Sequence, residues 1–168
     1  MNEILWIPSD VGTPFAARVT AIEGTRITMT LLKDYTKTGD KLFGIHARNV
    51  EQNAALNLLL SPDIYFVTIL GQAGTGKTLM SLAAAFAMTV DEHRFDEILV
   101  TRATVSVGED IGYLPGSEEE KMVPWMGAIY DNLDVLAGTK DMKAWEAKTT
   151  RGVLEQRLNV KSMSLMRG

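Results

Sequence analysis

One eight-residue stretch, GQAGTGKT at residues 71–78, constrains this chain more than any other part of its sequence. It follows the pattern G-x-x-x-x-G-K-[ST], in which a glycine-rich backbone wraps an anion. The run DIYFVTIL before it is apolar and β-branched, which is typical of a strand buried on both faces of a parallel sheet. The run KTLMSLAAAFAMTV after it is rich in alanine and leucine and predicts a buried helix. A strand, a glycine loop and a helix in this order predict a phosphate-binding loop; the alternative is a glycine-rich turn without a ligand.

The glycines, the lysine and the last threonine of the predicted loop each have a chemical role toward a bound nucleotide. Its glycines can adopt backbone conformations that a Cβ would bar, so that successive N–H groups converge on phosphate oxygens. Lys77 is expected to reach the β- and γ-phosphates, and the Thr78 hydroxyl is expected to hold Mg²⁺. The candidate cofactor-binding residues of the loop are Gly71, Gln72, Ala73, Gly74, Thr75, Gly76, Lys77 and Thr78.

Composition and net charge limit the class of protein that can contain this loop. Of the 168 residues, 46% are hydrophobic, which is enough for a buried core. There is no cysteine, which excludes a disulfide framework and a thiolate metal site. We expect a soluble cytoplasmic protein, because we find neither a signal peptide nor an apolar run long enough to span a bilayer. The net charge of −4 argues against a broad nucleic-acid-binding surface.

The pattern of the sequence changes near residue 45. Residues 1–45 contain three short β-like runs, with EGT at 23–25 as a predicted hairpin turn in which Gly24 takes a positive φ. Residues 46–168 alternate between helical and strand patterns. The predicted helices include NVEQNAALNLLL, EEEKMVPWMGAIYDNLDVL and DMKAWEAKTTRGVLEQRL, and the predicted strands include EILVTRA and NVKSMSLM. The sequence therefore predicts an α/β fold, a P-loop domain over 46–168 preceded by a small β-rich connector over 1–45.

Four stretches carry a resemblance to one protein family. They are GIHARNVEQNAALNLLL, VTILGQAGTGKTLMSLAA, ILVTRATVSVGEDIGYLPGSEEEKMVPWM and IYDNL. The block G-x-LPG-x-x-x-EK is the most specific signal, because P-loop proteins in general lack it. The chain resembles the ATPase domain of the PhoH family, closely over residues 43–136 and more loosely to 168. The resemblance implies a cytoplasmic P-loop ATPase related to superfamily 1 helicases, with ATP and Mg²⁺ as its cofactors.

The resemblance also implies partners. One branch of the family joins an N-terminal PIN ribonuclease domain to the ATPase and is associated with RNA unwinding and cleavage. The segment 1–45 is similar to the connector that precedes the ATPase in that branch. Complete members are expected to work as homo-oligomeric rings, so the implied partners are ATP, RNA and other copies of the chain. One position departs from the family, because Ala103 stands where proline is usual.

Two further positions have both a structural and a functional interpretation. Asn49 and Gln52 lie three apart at a predicted helix start, which is the spacing of a capping box. The resemblance implies instead that Gln52 pairs with the adenine edge, since an amide offers both a donor and an acceptor. Arg102 ends a predicted parallel strand, where ligands gather in open α/β sheets. It is either a surface arginine paired with Glu109 or Asp110, or a contact to nucleic acid or to the γ-phosphate.

The sequence offers no evident carboxylate to hold Mg²⁺ for hydrolysis. In P-loop ATPases that acid follows an apolar run, whereas Asp96-Glu97 precedes the run ILV. In the family the Asp-Glu motif comes shortly after an RG-R-S segment, and this chain stops at LMRG, residues 165–168. We therefore expect an incomplete domain, cut before its Walker B strand. The function that the family resemblance implies for it is ATP hydrolysis coupled to RNA handling. The alternative is a truncated nucleotide-binding fragment without enzymatic activity; a small-molecule kinase is a weaker third interpretation.

The same resemblance implies a sheet in which the strand before the loop and the strand EILVTRA are not neighbours. The strands between them come later in the chain. Without these strands, both would present unpaired apolar edges. We therefore expect a chain that is poorly soluble or marginally stable.

Overall fold

In the computed structural model of this chain, the described residues are 1–8, 14–37, 41–102, 118–138 and 144–162. They form two compact units, Met1–Ser81 and Leu82–Gly168. The strands are β1 (Ile4–Ile7), β2 (Phe15–Glu23), β3 (Arg26–Leu31), β4 (Ile98–Arg102) and β5 (Leu158–Ser162). The helices are α1 (Val50–Leu60), α2 (Lys77–Phe86), α3 (Glu118–Ala137) and α4 (Ala144–Arg157), and a π-helical turn (Ala87–Asp91) follows α2. The predicted α/β class is confirmed. The predicted domain boundary near residue 45 stays a prediction.

The first unit begins with a three-stranded antiparallel sheet in the order β1-β2-β3. All three predicted strands are present, and Glu23 pairs with Arg26 across the predicted hairpin turn. Gly24 has φ +60°, as the turn prediction requires. A register shift between Val19 and Ala21 marks a bulge in β2. Residues 4–31 therefore contain a three-stranded sheet, with its turn where the sequence predicts it.

Helix α1 is capped by Asn49, whose Oδ1 accepts a hydrogen bond from the backbone N–H of Gln52 at 2.8 Å. The helix ends at the predicted break, with Ser61 as its C-cap. The most buried residues of the helix are Asn53 and Leu56, whereas the apolar stripe of the sequence runs through positions 50, 54, 55, 58 and 59. The helix that this stripe predicts is confirmed, and the stripe positions are half-buried.

Two asparagines of α1 hold the segment that follows β3. The Oδ1 of Asn53 accepts from the backbone N–H of Tyr35 at 2.7 Å, in a buried position. The amide of Asn57 bonds the backbone of Lys33 in both directions, at 2.8 and 2.9 Å. The two side chains, one helical turn apart, thus substitute for a strand partner of residues 33–35. A small core of Tyr35, Ala47, Leu56 and Met80 lies beside them.

Replacement of Asn53 by alanine is expected to destabilise the first unit. The buried N–H of Tyr35 would lose its acceptor, which costs about 1–3 kcal/mol. We expect the melting temperature to fall by roughly 3–10 °C in a thermal melt. Asn57→Ala is the matched control, because its bonds to Lys33 are exposed and water can replace them. Equal melting of the two variants would contradict this role for Asn53.

The predicted strand DIYFVTIL does not form. The segment 64–70 has no regular secondary structure, and Tyr65, Phe66 and Leu70 are 96%, 84% and 89% exposed. A strand requires a neighbour to bond its N–H and C=O groups, and no described strand pairs with this segment. The prediction of a strand buried on both faces is therefore wrong for this structure, and Tyr65, Phe66 and Leu70 face solvent.

The second unit contains a parallel pair of strands, β4 and β5, in register from Ile98↔Leu158 to Arg102↔Ser162. Helices α3 and α4 pack on one another and on β5. The strand predicted from NVKSMSLM is confirmed over 159–162, and residues 163–166 lie outside the described residues. Strand β4 is less buried than predicted, because Leu99 is 40% exposed. The guanidinium of Arg157 donates to the backbone carbonyl of Asp96 at 2.9 Å and ties α4 to the residues before β4.

Arg151 of α4 forms ion pairs with Asp134 of α3 and, at 2.9 Å, with Glu155. These carboxylates raise the pKa of Arg151, so the guanidinium stays charged. Within the described ranges, no group of three or more His, Asp or Glu side chains is placed to hold a metal ion. None of the described helices is long and apolar enough to cross a membrane.

Candidate nucleotide-binding site

The loop before α2 has the backbone conformation that its glycines permit. Gly74 and Gly76 have φ +78° and +80°, in the left-handed region. Any residue with a Cβ would be strained at both positions, so glycine is required there. A Cβ at Gly71 would lie 3.3 Å from the hydroxyl oxygen of Thr75, a tight contact that the Thr75 side chain would have to relieve by a small shift. The glycine spacing of the motif therefore matches the local geometry.

The side chain of Lys77 folds back over the loop. Its Nζ donates hydrogen bonds to the carbonyl oxygens of Gly71, at 2.9 Å, and Gln72, at 2.6 Å. The hydroxyl of Thr75 lies 3.4 Å from the same nitrogen and donates to the carbonyl of Gln72 at 2.9 Å. The ammonium is thus positioned by neutral acceptors of the loop itself. A phosphate group bound here would offer this ammonium a charged acceptor, which makes a stronger hydrogen bond than a carbonyl.

The start of α2 adds donors to the same place. The backbone N–H of Met80 bonds to the carbonyl of Gly76 at 2.9 Å. The N–H groups before Met80 belong to the first turn, which has no intrahelical partners and carries the positive end of the helix dipole. Thr78 lies in this turn and is exposed. The donor set therefore fits a phosphate group, and the Thr78 hydroxyl oxygen is of the kind that Mg²⁺ prefers.

Gln52 connects the start of α1 to this loop. Its Oε1 accepts from the backbone N–H of Arg48 at 2.7 Å, and its Nε2 donates to the carbonyl of Thr75 at 3.1 Å. The first bond is a capping interaction, although it reaches Arg48 rather than Asn49. The second bond was not anticipated from the sequence; the 23-residue separation of Gln52 and Thr75 leaves no local pattern that reveals it. The amide keeps one N–H and one lone pair, so the adenine interpretation stays a prediction.

Arg102 belongs to the second unit, as the last residue of β4, and pairs in register with Ser162 of the parallel neighbour β5. It therefore occupies the carboxyl end of a parallel strand, as predicted. Glu109 and Asp110 lie outside the described residues. Both interpretations of Arg102, the surface ion pair and the ligand contact, stay predictions.

A separate groove of about 420 Å³ lies between the first sheet and the start of α1. Its walls include Trp6, Phe15 and Leu31 from the sheet and Asn49 and Asn53 from the helix. None of its lining residues belongs to the glycine loop. The groove is therefore a distinct feature of the first unit and not part of the phosphate-binding geometry.

Comparison with known protein families assigns the sequence of this chain to one of them. The sequence model of the PhoH family, described as PhoH-like protein, matches residues 44–168. The chain belongs to the PhoH family. The match includes the glycine loop, Gln52 and Arg102.

Individual members of the PhoH family are similar to this chain. Protein PhoH2 of Bacillus subtilis is 49% identical over 113 residues, which are 67% of this chain and 26% of that protein. Protein PhoH2 of Thermobispora bispora is 40% identical over 119 residues, 70% of this chain and 27% of that protein. Protein PhoH of Escherichia coli K12 is 39% identical over 89 residues, 53% of this chain and 24% of that protein. The chain thus spans about a quarter of the length of these relatives, and no solved structure matches it.

Proposed function

We propose that this PhoH-family chain binds Mg·ATP at residues 71–78 and acts in the cytoplasm. The observation that carries the proposal is the left-handed pair Gly74 and Gly76 at the start of α2, with the Lys77 ammonium positioned over the loop. Isothermal titration calorimetry with Mg·ATP tests it. Saturable binding at one site per chain is expected, and the absence of binding at millimolar nucleotide would contradict the proposal.

In this proposal each residue has a defined task. The N–H groups of the loop and of the first turn of α2 hold the phosphate oxygens, and Lys77 neutralises part of their charge. The Thr78 hydroxyl would contribute an oxygen ligand to Mg²⁺, and the ion would supply positive charge against the phosphates. Arg102 is a further candidate contact to the γ-phosphate. The roles of Thr78 and Arg102 rest on the motif and the family resemblance.

Gln52→Ala is expected to weaken ATP binding more than GTP binding if its free amide groups pair with the adenine edge. The variant also removes the capping bond to Arg48. The free energy of unfolding should therefore fall by about 1 kcal/mol, which lowers the melting temperature. Binding of both nucleotides and a thermal melt should be measured on the same samples. If the ratio of ATP affinity to GTP affinity is unchanged while the melting temperature falls, the role of Gln52 is limited to capping α1 and to its bond with Thr75.

RNA handling is the second part of the proposal, since the family resemblance connects the ATPase with RNA and with ring assembly. With a net charge of −4, the chain alone is expected to bind RNA weakly. Fluorescence anisotropy with a labelled single strand should give a Kd above about 10 µM at physiological salt, and the affinity should fall at least tenfold between about 50 and about 200 mM salt. Tight binding by the chain alone at physiological salt would contradict this expectation.

A nucleotide-binding chain without enzymatic activity is the alternative function. It is favoured by the position of Asp96-Glu97, which precedes β4, whereas the acid of P-loop ATPases follows an apolar strand. Phosphate release assayed on the same samples as Mg·ATP binding separates the two. Binding without release supports the alternative, and release that depends on Lys77 supports the ATPase.

A further inference from the structure

The paired positions of β1, β2 and β3 on one face of the first sheet are all apolar. Residues directly opposite in an antiparallel pair point to the same side. The pairs Leu5↔Ala17 and Ile7↔Phe15 join β1 to β2, and Ala17↔Leu31, Val19↔Met29 and Ile22↔Ile27 join β2 to β3. Together they form the apolar face, whose members are Leu5, Ile7, Phe15, Ala17, Val19, Ile22, Ile27, Met29 and Leu31.

The bulge in β2 is what makes this face continuous. The side chains of a regular strand alternate, so Val19 and Ile22 would point to opposite sides. The register shift between Val19 and Ala21 inserts one extra residue and returns Ile22 to the side of Val19. The opposite side of the sheet is different in character, because it carries Arg18, which is bonded to Asn2 and paired with Asp63.

The apolar face is open to solvent. Ala17 and Val19 at its centre are buried, whereas the seven large residues around them are each between 37% and 69% exposed. Seven such residues, each with ~150–200 Å² of surface when fully exposed, leave roughly 600 Å² of apolar area uncovered. The largest apolar patch on a typical monomer covers about 300–600 Å², so this face is at or above the upper limit.

We infer that this face is an interface between two copies of the chain, packed sheet on sheet. Burial of roughly 600 Å² on each copy gives about 1,200 Å² in total, which reaches the lower bound of stable specific interfaces. A two-fold interface packs the same surface of both copies together, so a charged side chain at its centre would face the same charge on the other copy. None of the nine side chains is charged, and sheets with apolar inner faces pack about 10 Å apart as in a β-sandwich.

This contact is independent of the proposed nucleotide site and differs from a ring contact. A two-fold interface uses the same surface on both copies, whereas a ring joins two different surfaces head to tail. None of the nine residues belongs to the glycine loop or to the start of α2. The pairing is therefore expected with or without Mg·ATP.

The test is the mass of the chain in solution, measured by light scattering after size exclusion. The wild-type chain is expected at twice 18.5 kDa at micromolar concentration. Met29→Lys places a charge on the apolar face and should return the chain to 18.5 kDa. Thr28→Lys is the matched control, because it adds the same charge to the neighbouring exposed position of β3 on the other face. A monomeric wild type, an assembly that survives Met29→Lys, or equal dissociation by both variants would overturn the inference.

A second measurement does not depend on a disruptive variant. The chain has no cysteine, so single cysteines report contacts directly. Ile27→Cys and Met29→Cys should form a covalent dimer on mild oxidation far faster than Thr28→Cys and Thr30→Cys. Equal rates at the four positions would overturn the inference.

Discussion

Lys77→Ala is expected to remove measurable Mg·ATP binding while the far-UV circular dichroism of the chain stays unchanged. One hydrogen bond to a charged group contributes about 1.5–3 kcal/mol, and Lys77 is expected to make more than one to the phosphates. Each such bond corresponds to about 10- to 150-fold in Kd. The fold should persist because the loop residues that Lys77 bonds, Gly71 and Gln72, are exposed, and water can replace the ammonium there.

The matched control is Lys41→Ala, which removes the same charge from an exposed position of the first unit outside the loop. It should leave the Kd for Mg·ATP within about twofold, since screening at physiological salt limits long-range charge effects. If both variants weaken binding equally, the effect is one of net charge. If Lys77→Ala binds like the wild type, residues 71–78 do not form the phosphate site.

Phe66→Lys is expected to raise the solubility of the chain severalfold. The segment 64–70, sequence IYFVTIL, has high β-propensity, no charge and no proline, and Phe66 is 84% exposed. Such segments pair with copies of themselves through unbonded backbone groups and apolar side chains. A lysine in the middle of the segment opposes this stacking by charge repulsion. The soluble concentration after centrifugation, with light scattering over time, measures the effect.

Phe95→Lys is the control for this variant. Phe95 is also an exposed phenylalanine, at 52%, but it lies outside the segment. Its replacement should leave aggregation unchanged. A wild-type chain that stays soluble and melts sharply above about 60 °C would contradict the expectation of a poorly soluble, marginally stable chain. Residues 64–70 are not part of the apolar face, so Met29→Lys should leave this aggregation unchanged.

Local signals in the sequence were sufficient for much of the fold. The turn at Gly24 follows from a residue type that alone tolerates positive φ, and the start of α1 follows from the cap at Asn49. Both depend on a few adjacent residues, so they could be predicted without knowledge of distant contacts. The glycine spacing of the loop is similar, since Gly74 and Gly76 have the left-handed conformation that the motif requires.

Features that depend on distant partners could not be predicted in this way. The segment 64–70 has strong strand propensity, yet propensity forms no strand without a neighbour to bond its backbone. Asn53 is polar and was not expected in a core; the signal was its spacing of four from Asn57, which puts two amides on one side of α1. The second bond of Gln52, to Thr75, needs α1 and the loop to meet, which no local pattern encodes.

The most direct test of the nucleotide site is a titration of the ¹⁵N-labelled chain with Mg·ATP, followed by amide chemical shifts. Saturable shifts are expected at Gly74, Gly76, Lys77 and Thr78, with ADP but not adenosine reproducing them, because the phosphates are the group recognised. Shifts should be small at Trp6 and Phe15, which line the separate groove. Saturable shifts centred on that groove, or none in the glycine loop at millimolar Mg·ATP, would contradict the assignment of this loop as the phosphate site.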